Sequence, residues 1–238
     1  ACAITMASSN VTSAQRASLH TVGLARLERT NRPRLPINRM CFVGALAEKS
    51  DAAGVADFLD KKVRSLGDAA DTTSIVTGLL LLQPSAWIAI VEGSLASLSD
   101  LLRAMQSSSA ICGVKVVCCM DDIGLRTFSR WSSKTNLDVP RSNYMDLDSC
   151  SPLLSDLTIS MLKLGHALDP LTKEEASAAL DSWETRLADM MPSNERVQQA
   201  VELSEVPSLA DFIAIYEKPK EFPLISDQVW PPNKPLVY

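Results

Sequence analysis

Residues Ile75–Gly93, I-V-T-G-L-L-L-L-Q-P-S-A-W-I-A-I-V-E-G, constrain this chain more than any other stretch. Two apolar runs, Ile75–Leu82 and Ala86–Val91, are separated only by Gln83-Pro84-Ser85. Each run is too short for a helix and rich in Leu, Ile and Val. The pair therefore reads as two buried strands of a β-hairpin. Pro84 suits the turn because it fixes φ and brings no N–H. Glu92-Gly93 ends the second strand, and Ser94 is placed to cap a helix over Leu95–Met105.

The flanks extend this pattern. Arg39–Ala47 (R-M-C-F-V-G-A-L-A) reads as a first strand, and Asp51 can cap a helix over Ala52–Leu66. In that helix Val55, Phe58, Leu59, Val63 and Leu66 recur on one face, with Lys61, Lys62 and Arg64 off it. Gly113–Met120 (G-V-K-V-V-C-C-M) reads as a fourth strand ended by Asp121-Asp122, and Val139–Leu147 as the place for a short fifth one. The order strand, helix, strand, strand, helix, strand predicts a split βαβ arrangement, with two helices on one face of an antiparallel sheet.

Beyond residue 150 the pattern turns helical. Ser151 or Ser155 can open a helix ending near His166, and Thr172 and Glu175 have capping-box spacing for another running to about Met190. Ser193 starts a further one, and Ser208 caps Leu209–Tyr216. Prolines 219, 223, 231, 232 and 235 then punctuate a tail that cannot form a core of its own and must lie along a surface.

Charge is distributed unevenly. Net charge is −5, yet residues 1–39 carry six arginines and one acid, Glu28. The remainder is therefore about −10. Pro33 and Pro36 keep Arg32–Ile37 from being helical throughout, so this end reads as an extended basic arm. Its Arg- and Ser-rich composition resembles a transit peptide, but removal of an initiator Met ahead of Ala1 is the simpler account. An acidic body argues against a nucleic-acid partner, and no apolar run reaches the length of a membrane span.

The candidate chemistry is sparse. The six cysteines include no C-x-x-C pair, and the two histidines, His20 and His166, have no ligand cluster around them, so no metal is expected. The cysteines read as small apolar side chains in a reducing compartment. Asp121-Asp122 and Glu174-Glu175 are sequence neighbours with no His or Lys to complete an acid–base set. Neither Ser107–Ser109 nor Ser132-Ser133 sits in a G-x-S-x-G setting, and Thr77-Gly78 has no Lys for a phosphate cradle. Met161, Met190, Met191 and Trp131 read as core. No catalytic residue is expected, and the chain reads as a non-enzyme.

The central hairpin with its flanks resembles a BLUF domain, the flavin-binding blue-light sensor fold. V-T-G-L-L-L from Val76, W-I-A-I-V-E-G ending at Gly93, and Arg126, Phe128 and Trp131 in an R-x-F-x-x-W pattern fall in the family's order over roughly residues 39–145. The resemblance implies an α+β, ferredoxin-like (BLUF-like) sandwich with a helical C-terminal extension. It also implies where flavin chemistry should sit. The family's light-sensing Tyr, Asn and Gln fall here on Phe42, Asp71 and Ala89, with the bulky Trp87 nearby. Phe42 has no hydroxyl and Ala89 no amide, so no cofactor is expected and the photochemistry reads as lost. The alternative is a flavin-binding sensor or regulator with altered chemistry.

The whole length also resembles the testis-expressed protein 47 family of ciliated organisms, through Asp211-Phe212-Ile213 to Tyr216, Lys218-Pro219 and Val229-Trp230-Pro231. That resemblance implies a structural role in the axoneme of cilia and flagella, among other axonemal proteins and doublet-microtubule tubulin. Four segments follow: a basic arm (1–38), a BLUF-like domain (39–149), a helical extension (150–217) and a Pro-rich docking tail (218–238). The expected interaction residues are Arg29, Arg32 and Arg34 in the arm, and Trp230, Pro231 and Tyr238 in the tail.

Overall fold

The computed structural model describes residue 26 and residues 36–46, 52–66, 75–135, 137–140 and 150–217. Its strands form one five-stranded sheet in the order β4-β1-β3-β2-β5. β1 (Ile37–Ala45) and β3 (Ala86–Gly93) lie side by side at the centre. β2 (Thr77–Leu82) completes the hairpin, closed where the Gln83 N–H donates to the Ala86 carbonyl at 2.9 Å. α1 (Ala52–Leu66) links β1 to β2, and α2 (Leu95–Ser107) links β3 to β4 (Cys112–Ile123). Ser94 caps α2 by accepting from the Ser97 N–H at 3.2 Å.

Gly78 shows why V-T-G-L-L-L carries a glycine. Its φ is +152°, and a Cβ there would lie 2.0 Å from the Ile90 carbonyl oxygen of the paired strand. Only a residue without a side chain lets β2 approach β3 so closely.

Three expectations about the strands need correction. The fifth strand is Trp131–Lys134 (β5), not a segment of Val139–Leu147; Val139 and Pro140 are not in a strand, and residues 141–147 lie outside the described residues. β5 is a short edge strand of mostly polar residues, which hides it from a search for apolar alternation. It pairs parallel with β2, so the sheet is mixed rather than antiparallel. Asp121-Asp122 does not end β4, which runs on to Ile123. Asp122 takes a left-handed conformation (φ +49°), and its N–H donates to Asn38 Oδ1 at 3.0 Å where the β1–β4 register shifts.

The extension begins with α3 (Cys150–Leu168) and α4 (Lys173–Asp181), which has the complete capping box of Thr172 and Glu175. The helix expected to reach Met190 stops at Ser182, whose hydroxyl donates back to the Ala178 carbonyl at 2.8 Å. A short α5 (Trp183–Arg186) and a 3-10 turn (Ala188–Met190) follow, then α6 (Asn194–Glu202) and α7 (Leu209–Glu217).

Alternation along the strands builds two cores. Phe42, Leu80, Trp87 and Ala89 point to one face, under α1, α2 and α7. Cys41, Leu79, Ile88 and Ile90 point to the other, under α3, α4 and α6. Both faces of the sheet are therefore covered by helices. Among the described residues, the helical extension supplies the helical cover of the second face and completes its core.

Candidate functional site

The face under α1 and α2 holds the positions where the BLUF resemblance implies flavin contacts. Phe42 and Ala89 are direct partners across β1 and β3, so the two positions meet on one face. Each is almost fully buried, the large ring beside the small methyl. Trp87 lies two residues from Ala89 on the same face, fully buried, and is paired across the sheet with Gly44. A Cβ on Gly44 would lie 2.4 Å from the indole, so the absent side chain is what makes room for the ring. Trp87 Nε1 has no hydrogen-bond partner among the described residues. Burial of an unpaired donor costs about 1–3 kcal/mol, so apolar packing holds the indole in place rather than its polar edge.

Asp71 lies outside the described residues, as do Arg29, Arg32, Arg34, Trp230, Pro231 and Tyr238. Arg39, whose charge falls with the basic arm but which also reads as the start of the first strand, is a buried residue of β1. Five arginines and one acid remain ahead of the strand.

Arg39 belongs to a polar cluster that sequence reading missed. Its Nε donates to Glu92 Oε1 at 2.7 Å, and its Nη2 lies 2.6 Å from the same oxygen. Nη2 also donates to Thr127 Oγ1 at 2.6 Å. Glu92, fully buried, further accepts from the Thr127 N–H at 2.9 Å and the Phe128 N–H at 3.2 Å. Arg126 Nη1 donates to Thr77 Oγ1 at 2.8 Å and to the Glu92 carbonyl at 2.9 Å. Burial pulls the Arg126 pKa below its usual value, and the Glu92 charge opposes that shift.

These contacts fasten the loop between β4 and β5 to the sheet. They give the R-x-F-x-x-W residues structural roles: Arg126 staples the loop, and Phe128 enters the second core. Trp131, expected in the core, is half-buried. Its Nε1 donates to Asp60 Oδ1 at 2.6 Å, and Ser133 donates to Asp60 Oδ2 at 3.1 Å, pinning β5 to α1. The visible signal for the cluster was a glutamate at the end of an otherwise apolar strand, facing an arginine at the start of another.

Thiols gather at the β4 edge. Cys41 and Cys118 are register partners across β1 and β4. Burial pushes the Cys41 thiol far up, and burial followed by the neighbouring Cys119 pushes Cys118 up. Neither is a ready nucleophile. Tyr216 of α7 donates its hydroxyl to Cys119 Sγ at 3.6 Å, and that bond first, then burial, raises the phenol to about 12. An open groove of about 540 Å³ runs between β4 and α3, lined by Val117, Cys118, Met120, Leu154, Ile159 and Leu162 with Cys150 and three hydroxyl side chains. Among the described residues its lining includes no charged side chain.

The fold, then, is a BLUF-like, ferredoxin-like α+β domain whose second face is covered by its own C-terminal helices. The chain is similar to the solved structure of BlrB, a BLUF protein in its dark state, at 15% identity and TM-score 0.36, over 62% of this chain and 93% of that one. BlsA in its photo-activated state matches at 18% identity and TM-score 0.35, over 61% and 93%. A bacterial light-regulated adenylyl cyclase matches at 18% identity and TM-score 0.37, over 52% of this chain but only 34% of the cyclase. Residues 36–218 match the testis-expressed protein 47 family, and the chain belongs to that family.

Proposed function

We propose that this protein is a non-enzymatic structural component of the axoneme of cilia and flagella, built on a BLUF-like domain that has lost flavin photochemistry. The observation that carries the second half is the packed face at Phe42, Trp87 and Ala89. Phe42 and Ala89 present no polar atom to a flavin edge, and the Trp87 indole fills the space over Gly44. Apart from the Trp87 N–H, these residues offer an isoalloxazine no polar partner, and each further polar group of its edge left unpaired would cost about 1–3 kcal/mol. The first half is supported by the family's association with testis, the tissue that assembles flagella.

In this reading the rigid domain is a spacer, and the arginine-rich arm docks it to acidic neighbours such as other axonemal proteins or tubulin. Arginines fork onto carboxylates, and such contacts set encounter and register and weaken with salt.

An absorption spectrum of the purified chain tests the lost photochemistry. A colourless preparation is expected. A flavin band near roughly 450 nm that shifts on illumination would overturn it in favour of a flavin-binding sensor. The axonemal role is tested separately by expressing tagged protein in ciliated cells. The full chain should localise to the axoneme, and the chain lacking residues 1–35, which leaves β1 whole, should not. Uniform cytosolic signal from the full chain would refute the role.

A further inference from the structure

We propose that Cys41 and Cys118 form a dormant disulfide pair, which a hydroperoxide oxidises to a cross-strand bond clamping β1 to β4. The inference does not depend on the axonemal reading. The two cysteines are register partners in the antiparallel β1–β4 ladder. Residues directly opposite in such a ladder share a face, with Cβ atoms about 4.5–5.5 Å apart. A disulfide sets the same atoms about 3.5–4.5 Å apart, so an approach of about 1 Å closes the bond. Both side chains belong to the second face, Cys41 buried in its core and Cys118 packed against it. The Thr158 hydroxyl of α3 lies beside both sulfurs. The neighbouring thiols are arranged differently. Cys119 is paired with Met40, packs on the first face and accepts from Tyr216. Cys112 is paired with Ala45, and Cys150 comes from α3.

The place of the pair gives the bond a consequence. The β1–β4 register shifts between Cys41 and Phe42, where β4 carries Val117 as an extra residue. A bulge is where pairing can slip, and a slip by one residue turns every side chain to the other face. A covalent bond beside the bulge fixes the register that points Phe42 into the first core. It also closes a long loop of chain, which constrains the unfolded state. The chemistry runs in two steps. Cys118, the less buried of the two and the one beside the Arg39 charge, attacks a peroxide oxygen as its thiolate. The O–O bond breaks, the leaving oxygen departs as water or an alcohol, and Cys118 becomes a sulfenic acid. The Cys41 sulfur then attacks Cys118 Sγ. The S–O bond breaks, and the hydroxide leaves with the Cys41 proton as water. Two thiols lose two electrons and the peroxide gains them. Burial raises both thiols, so the reaction is slow, and in a reducing compartment the pair rests as thiols.

To test this, the full chain is treated with hydrogen peroxide under native conditions. Remaining thiols are blocked with N-ethylmaleimide, and the unreduced digest is mapped by mass spectrometry. A linked peptide pair should carry Cys41 and Cys118 with the loss of two hydrogens, and a thiol reductant should restore both. The link should persist in Cys119→Ser and Cys150→Ser and vanish in Cys118→Ser. The oxidised parent should melt at a higher temperature than the reduced parent, and Cys118→Ser should show no such rise. The map of the parent needs no variant to fold. A link from Cys118 to any other cysteine, or further oxygenation of Cys118 with Cys41 left free, would overturn the proposal. So would a link that forms only in urea, because the native register would then play no part. An oxidised parent that melts no higher than the reduced one would overturn the clamp.

Discussion

The two faces of the sheet are drawn from the same strands yet are held in different ways. The face under α1 and α2 is apolar, and its largest residue, Trp87, keeps an indole N–H with no partner among the described residues. The face under the C-terminal helices carries buried charge at its end, where Arg39, Glu92 and the Thr127 and Phe128 amides satisfy one another. The first face is held at its centre by packed volume, with directional bonds at its rim, to Asp60 and Cys119. The other joins three distant segments through directional bonds. The difference teaches where each face is fragile: the first to changes of shape, the second to loss of a single charged atom.

The largest effect is therefore expected at Glu92. Glu92→Leu strands the Arg39 guanidinium and two backbone N–H groups, and breaking such a buried pair costs about 3–5 kcal/mol. Adding Arg39→Met should recover part of the loss, since the unpaired charge is gone. Recovery should stay incomplete because the Thr127 and Phe128 amides remain without an acceptor. Urea denaturation of both variants measures this. A single variant as stable as the parent would remove the contrast between the faces.

Next comes a matched pair in the hairpin. Ile90→Ala deletes volume from the second face and Leu80→Ala from the first, and each should cost about 2–5 kcal/mol. Both side chains are fully buried, so similar losses mean that both cores contribute fully to the folded state. A loss at Leu80 with none at Ile90 would show that the C-terminal helices do not seal the second face in solution. A one-residue slip of register would exchange these faces, so Ala89→Leu, which adds volume beside Phe42, is the control.

The same contrast explains what could be read from the residues alone. The hairpin, its burial and the order of elements through β4 follow from local runs and turn residues. So do the Ser94 cap and the Thr172 capping box, whose partners are three residues away. The Arg39–Glu92 pair is separated by 53 positions, and no local pattern joins them. β5 was misplaced for a related reason: W-S-S-K has no alternation, and it is held by pairing to β2 and by Asp60. The flavin-implied positions were partly legible. Phe42 and Ala89 do meet across the sheet, but the fit of Trp87 over Gly44 appears only once the register is known.

A smaller effect tests that fit. Gly44→Ala places a methyl within the indole of Trp87, and overpacking of this kind costs about 1–3 kcal/mol. In a Trp87→Leu background the same substitution should cost little, because the clashing ring is gone. Thermal melts of the four chains form a double-mutant cycle. Equal penalties in both backgrounds would mean that Gly44 is needed for a reason other than the ring.

The smallest effect is a pH dependence at the far side of the first face. Tyr216 of α7 stacks on Phe212, with ring centroids 4.4 Å apart, and donates to Cys119 Sγ, so the folded chain favours the neutral phenol. Its pKa is raised from 10 to about 12, first by that hydrogen bond and then by burial. A group whose folded pKa is raised contributes stability that is complete below the unfolded value and is lost as pH rises through the folded one. The contribution should therefore be intact below about pH 10 and fall away toward about pH 12. Because the residue is half exposed, screening keeps it to about 1 kcal/mol or less. Tyr216→Phe keeps the ring stack and removes the titrating group, so the parent should lose its advantage over the variant only in that alkaline window. A stability difference constant from neutral pH to pH 12 would place the role of Tyr216 in packing alone and leave its bond to Cys119 without energetic weight.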